Sequence, residues 1–196
     1  MTCKRPADRA KLSAMQRAEI KELHYICLLQ NAPSILNYGI LCHNESLKLP
    51  NVNHSLAENS VQQWREKKRL PHGKALHDYA NLYFDARNAM MFQRIYPLKN
   101  SGRAGLLDSL CVYRVDPTIL DEPDVWVTDI GAGGSTVGFY LVHEGLPRLK
   151  ADRVYADSWN VGDPAEQEQR KKERMAEVLV PSSVPPKFFL GVAGLC

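Results

Sequence analysis

The sequence predicts an α+β fold with a mixed or antiparallel sheet. Short β-prone runs recur at 23–29 (LHYICLL), 110–115 (LCVYRV) and 177–180 (EVLV). Short helical segments lie between them without the regular strand–helix–strand rhythm that builds a parallel sheet. The 196 residues, 44% hydrophobic and 24% charged, are ordinary for a folded chain. One domain of this length buries roughly 70% of its unfolded surface without staples.

Taken in order, residues 4–23 form a charged helix or arm, and 23–29 the first strand, with His24 at its start. Asn31-Ala32-Pro33-Ser34 punctuates the chain before a short helix over 34–38. Gly39 closes that helix, because glycine accepts the left-handed conformation at a helix end. Residues 43–75 are polar and basic, with a helix across 55–68 capped by Asn53 or Ser55. A Gly/Lys loop occupies 97–107. The strand 110–115 stops at Asp116-Pro117, and 125–128 is another strand, entering the glycine-rich loop 129–134 (DIGAGG). Residues 139–142 make a short strand or helix, and 157–175 a loop plus a helix. The strand 177–180 ends at Pro181, and 188–192 is the last strand.

Composition excludes several classes. The cysteines number five, an odd count with no CxxC pair, which argues against a disulfide framework and against a metal site. The N-terminus has no apolar core of a signal peptide, and no apolar run reaches the roughly 18 residues of a membrane helix. A cytoplasmic protein without metal is expected. Net charge is only +3, but the cations cluster: Arg65, Lys67, Lys68, Arg69, His72 and Lys74 form one group, Arg170, Lys171, Lys172 and Arg174 another. Either group suits a phosphate backbone or a solvated helix face.

The stretch 76–92 (LHDYANLYFDARNAMMF) draws the most attention. It crowds Tyr79, Tyr83, Phe84 and Phe92 beside Asp78, Asp85 and Arg87. Aromatic faces with a few fixed polar groups suit a pocket for a flat, charged ligand, although such clusters are more often plain core. The loop DIGAGGS lacks the Lys-Ser/Thr of a P-loop and the spacing of a dinucleotide fingerprint. His24, His77 and His143 make no metal-ligand pair. Glu177 opens a strand directly after RKKER, so a rigid element holds an acid where a cleft can use it. Residues alone lead to an α+β protein with an aromatic, acid-bearing pocket and two basic patches.

Four segments in order carry a resemblance: His24 with NAPSILNYGIL (31–41), LHDYANLYFDARNAMMF (76–92), VWVTD (125–129) and RKKERMAEVLV (170–180). Across residues 22–190 the set resembles the DarT family, DNA ADP-ribosyltransferase toxins of bacterial toxin–antitoxin pairs. The resemblance implies an ADP-ribosyltransferase fold, a split, mostly antiparallel sheet with NAD+ in the cleft. A helical arm at 1–21 and a single domain at 22–196 are expected. The implied reaction moves ADP-ribose from NAD+ onto a base of single-stranded DNA, and a macrodomain antitoxin reverses it. A monomer is expected.

By position, Glu177 matches the family's catalytic glutamate, and Arg65 an arginine that assists transfer. His24, Asn31 and Ser34 fall where the family binds the adenosine side of NAD+. Tyr79, Tyr83 and Arg87 fall in the nicotinamide and phosphate region. Lys67, Lys68, Arg69 and the 129–138 loop then become candidates for the DNA strand, with Trp159 or Trp64 stacking a base. Thymine-modifying members carry a histidine in the loop after the TD of VWVTD. Here the loop has no polar side chain before Ser135, which favours guanine over thymine. The alternatives are a transferase of this fold acting on RNA or protein, and a nucleic-acid-binding module without catalysis.

Overall fold

The structure, a computed structural model, describes residues 14–49, 56, 59–93 and 109–194. Nine strands are assigned within them: β1 (Leu23–Leu28), β2 (Ile40–Leu41), β3 (Tyr79–Tyr83), β4 (Leu110–Val115), β5 (Trp126–Thr128), β6 (Phe139–Leu141), β7 (Glu177–Pro181), β8 (Ser183–Val184) and β9 (Phe189–Gly194). Seven make one sheet in the order β6-β5-β7-β3-β1-β4-β9, and β2 pairs with β8 in a small ladder. Every pairing within the large sheet is antiparallel. The helices with both ends assigned among the described residues are α1 (Ala32–Tyr38), α2 (His43–Ser46), α3 (Asn59–Glu66), α4 (Val142–Gly145), α5 (Ala151–Val154) and α6 (Pro164–Glu173).

The sheet is almost divided at its centre. Strand β1 pairs with β4 along its whole length, but meets β3 only at His24 opposite Tyr83. Below that single pair the halves diverge. Alternation along each strand sends Leu23, Cys27, Ala80, Leu82, Val127, Val178 and Val180 into the main core. Cys27 and Cys111 face each other there as free thiols, 3.4 Å apart. The opposite face carries two smaller clusters, Tyr79 with Leu76, Trp126 and Leu179, and Tyr83 with Ile26, Met91 and Val112. Polar residues between these clusters are therefore held on a rigid floor.

Gly39 ends α1 with φ +84°, and a Cβ there would lie 2.5 Å from the Val184 carbonyl oxygen. Only glycine lets the chain turn so tightly against β8. The expected arm differs from the structure over its described part, 14–21. Instead of a helix there is a 3₁₀ turn at Arg17–Glu19. Met15 and Ile20 lie buried in the main core, and the Met15 N–H donates to the Leu149 carbonyl. Apolar side chains at 15 and 20 tie down a segment whose charges alone suggested an arm. The helix expected across 55–68 is Asn59–Glu66, its proposed caps Asn53 and Ser55 lie outside the described residues, and so does the 97–107 loop.

Candidate active site

Glu177 is the first residue of β7 and sits opposite Tyr83, which sits opposite His24. The row crosses the sheet at its division. There a cavity of about 600 Å³ opens between α1, α3, the 130–136 loop and the sheet. Its backbone anchors Glu177 first: the N–H donates to Thr128 Oγ1 at 2.9 Å, and that hydroxyl donates to the Ile130 carbonyl at 2.7 Å. The chain then folds back so that the Ala132 N–H donates to Glu177 Oε1 at 2.9 Å. From α3, Arg65 Nη1 donates to Oε2 at 3.0 Å and to Oε1 at 3.2 Å. Glu177 is 2% exposed overall, and the Arg65 side chain 11%, yet both line the cavity. A carboxylate so held needs no reorganisation when positive charge develops beside it.

The glycine-rich loop is part of this wall. The Gly134 N–H donates to the Gly131 carbonyl at 2.8 Å, and a Cβ on Gly134 would lie 3.1 Å from that same oxygen. Glycine permits the tight turn that aims the Ala132 N–H at the carboxylate. A Cβ on Gly133 would meet Arg65 Cγ at 3.6 Å, so the loop also backs the arginine. The loop expected to meet DNA thus also builds the site of the acid.

Other expected residues divide into two groups. Asn31, Ser34, Tyr79 and Tyr83 line the cavity with Glu177 and Arg65. Burial, then the Glu177 charge, pushes the Tyr83 phenol above the tyrosine range. The Tyr79 hydroxyl donates to Asp124 Oδ2 at 3.0 Å, an acid that also accepts from Lys74 and Trp126. His24 and Arg87 lie off the wall. The His24 ring lies between Glu22 Oε1 (3.0 Å) and the Phe84 carbonyl (3.3 Å), and Arg114 holds Glu22 in turn. Arg87, its side chain 72% exposed, faces Asp85 and Asp157.

The basic run 65–74 is not one patch. Arg65 is taken by Glu177 and Lys74 by Asp124, while Arg69 folds back onto the Glu66 and Lys68 carbonyls. Lys67 is exposed and Lys68 half-buried, both off the cavity wall. Trp159 stands edge-on to Phe92 with the Arg174 guanidinium over its ring, also off the wall. Trp64, exposed on α3, is the tryptophan at the cavity.

Sequence reasoning passed over a histidine pair. His43 and His77 line the cavity with ring centroids 4.2 Å apart. His77 is 8% exposed, and its Nε2 has no hydrogen-bond partner. Burial, then the Arg65 charge, pushes the His43 imidazole below its ordinary value; for His77 burial leads, then His43, then Arg65. The HDY run was visible as sequence, but nothing local revealed that His43 would meet it. Among the described residues no group of three or more His, Cys, Asp or Glu is arranged for a metal ion. No helix among them is long and apolar enough to cross a membrane.

An antiparallel sheet split over a cavity, with a glutamate on its floor, is the arrangement that the sequence resemblance implies for an ADP-ribosyltransferase. Known proteins narrow this. The family model described as "ssDNA thymidine ADP-ribosyltransferase, DarT" matches residues 24–196. A DNA ADP-ribosyl transferase–DNA ADP-ribosyl glycohydrolase fusion protein of Thermosipho africanus is 31% identical over 176 residues, 88% of this chain and 42% of that relative. The structure of Thermosipho africanus DarTG in complex with ADP-ribose superposes with a TM-score of 0.70 at 30% identity, covering 88% of this chain and 43% of that one. Thermus sp. 2.9 DarT in complex with ADP-ribosylated ssDNA gives 0.71 at 24% identity, covering 90% and 82%, a likeness of fold. The chain belongs to the DarT family of DNA ADP-ribosyltransferases. It spans less than half the length of the Thermosipho protein.

Proposed function

We propose that this chain transfers ADP-ribose from NAD+ to a base of single-stranded DNA, releasing nicotinamide, as the toxin of a toxin–antitoxin pair. The observation that carries the reading is Glu177, fixed by Arg65 and the Ala132 N–H on the floor of the cavity. Breaking the nicotinamide–ribose bond leaves an oxocarbenium-like carbon. A fixed carboxylate binds the adjacent ribose hydroxyl, stabilises that cation, and takes a proton as the base nitrogen attacks. Arg65 keeps the carboxylate in place and orients the diphosphate or the target base. Asn31, Ser34, Tyr79 and Tyr83 supply the NAD+ wall, with His24 at the end of the Glu177 row. Base attack inside a duplex is sterically closed, which is why a single strand is the substrate.

Guanine is the base we favour, because the loop 130–134 brings only backbone polar groups to the acid; the family description names thymidine. Lys67, Lys68, Arg69 and Trp159 extend the DNA path outside the cavity. The Thermosipho relative's name joins a transferase to a glycohydrolase; here we assign that reversal to a macrodomain antitoxin in the same cytoplasm. Mass spectrometry of four single-stranded oligonucleotides, each with one base type at the test position, checks the reaction. One ADP-ribose on the guanine oligonucleotide is expected with protein and NAD+. An adduct on thymine alone reverses the base assignment, and nicotinamide release without any DNA adduct moves the substrate to RNA or protein.

A further inference from the structure

Helix α6 turns two faces to two places. Its Glu166, Arg170 and Glu173 belong to a network with Arg153 of α5. Arg153 reaches Glu166, Arg170 Nε donates to Glu166 Oε1 at 3.0 Å, and Arg153 Nε lies 3.9 Å from Glu173 Oε2. Residues 168, 171, 172 and 175 follow helical spacing along the other side, and Glu168, Lys171, Lys172 and Met175 all line the cavity. The helix is fixed by one face and presents the other to the substrate space. Its basic last turn also suits the negative end of the helix.

The charges of the cavity wall do not balance. Among the described residues its lysines and arginines are Arg65, Lys171 and Lys172, and its carboxylates Glu168 and Glu177. Arg65 is matched by Glu177 at 3.0 Å, and Lys171 has Glu168 at 3.9 Å. Among the described residues Lys172, exposed on the helix, makes no ion pair with any carboxylate. Burial holds the histidines His43 and His77 toward neutrality. Among the described residues the unmatched positive charge of the cavity therefore rests on Lys172. Arg87, placed in the phosphate region by the resemblance, points instead to Asp85 and Asp157 outside the wall.

We propose that Lys172, with Lys171 beside it, is a phosphate subsite of the cavity. The proposal rests on the function given above, since both substrates of that reaction carry phosphate: the diphosphate of NAD+ and the backbone of a DNA strand. An ammonium is a compact charge with three donors and suits either.

The test uses the whole chain with Lys172→Glu and Lys172→Arg, circular dichroism confirming the fold, and Lys172→Gln as the milder neutral change. KM is measured for NAD+ and for a single-stranded oligonucleotide. In parallel, the NAD+-induced rise in Tm and the salt dependence of oligonucleotide anisotropy are followed. Lys172→Glu is expected to raise one KM about tenfold, the loss of one charge-assisted contact, with Lys172→Arg close to the parent. A higher NAD+ KM with a smaller Tm shift assigns the diphosphate. A higher oligonucleotide KM, with a log–log salt slope shallower by about 0.7, assigns the single strand. Both KM values and both binding readouts unchanged overturn the subsite. If the parent protein modifies no DNA, the proposed function fails by itself, and the Tm shift and anisotropy still decide for or against Lys172.

Discussion

Arg65 Nη1 lies 3.0 and 3.2 Å from the two carboxylate oxygens of Glu177, across 112 residues of sequence. The contact joins α3 to β7 directly over the cavity floor. It is one of the ties that hold α3 in place, none of whose residues is buried outright. Arginine and glutamate both line the cavity and together form a tertiary anchor.

Replacing the acid separates those roles. Glu177→Gln keeps an oxygen for the Ala132 N–H but removes the charge facing Arg65 and the reaction centre. Transfer is expected to fall by about 10²–10³-fold, the scale of losing one preorganised stabilising group. The protein stays folded with a lower Tm, since unpairing a buried charge costs on the order of 3 kcal/mol. Oligonucleotide labelling beside a thermal melt measures both. Labelling at the parental rate would remove Glu177 from the chemistry.

Removing the arginine is expected to show first in dynamics. With Arg65→Ala, α3 keeps no fully buried side chain and, among the described residues, no ion pair to the sheet. Amide exchange over 59–66 should speed up by about tenfold or more, reporting local opening rather than global unfolding, while transfer also drops. Exchange unchanged in α3 would mean other contacts hold it.

Much of the sheet was legible because short apolar, β-prone runs mark its strands: 110–115 was expected with the bounds observed, and 23–29 and 177–180 differ by one residue at their ends, whereas β3 lay unassigned inside the aromatic stretch 76–92. Glu177 stood out as an acid at the mouth of an apolar strand. What the sequence hid were long-range pairings. Nothing local distinguishes Arg65, which meets an acid, from Arg69, which folds onto its own turn. His24 and Arg87, expected in the NAD+ site from the resemblance, are engaged in the structure by neighbouring carboxylates, Glu22 and Asp85, which nothing in the sequence pattern marked. The small ladder β2–β8 joins two-residue strands, too short for any periodicity to mark.

Packing behind the site makes a stability prediction. Gly145 ends α4 against β5, where an added Cβ would stand 2.0 Å from Val127 Cγ2 and 3.0 Å from Tyr140 Cβ. Gly145→Ala should destabilise the fold by about 1–3 kcal/mol through overpacking. Val127→Ala in the same chain opens the space and should restore part of the loss, a coupling that chemical denaturation of the four cycle members measures. Independent, additive effects would show that the helix moves away freely.

The histidine pair predicts acid sensitivity with a definite sign. His43 and His77 are pushed down chiefly by burial; for His77 the neighbouring His43 and then Arg65 act in the same direction, for His43 Arg65 does, and Glu66 opposes at both, with Asp78 also opposing at His77. Below about pH 6.5, the ordinary histidine value, the unfolded chain binds protons that the folded chain resists. Stability therefore rises with pH through that window, is fully present above it, and is lost as pH falls toward the folded values. Tm should drop between pH 7 and pH 5.5. His77→Phe keeps a buried ring and removes both the titration and the unpartnered Nε2, so its Tm should vary less over the same range. An equally steep profile in the variant would locate the acid sensitivity elsewhere and leave His77 a packing residue. A flatter profile would assign the acid sensitivity of the fold to the titration of this pair.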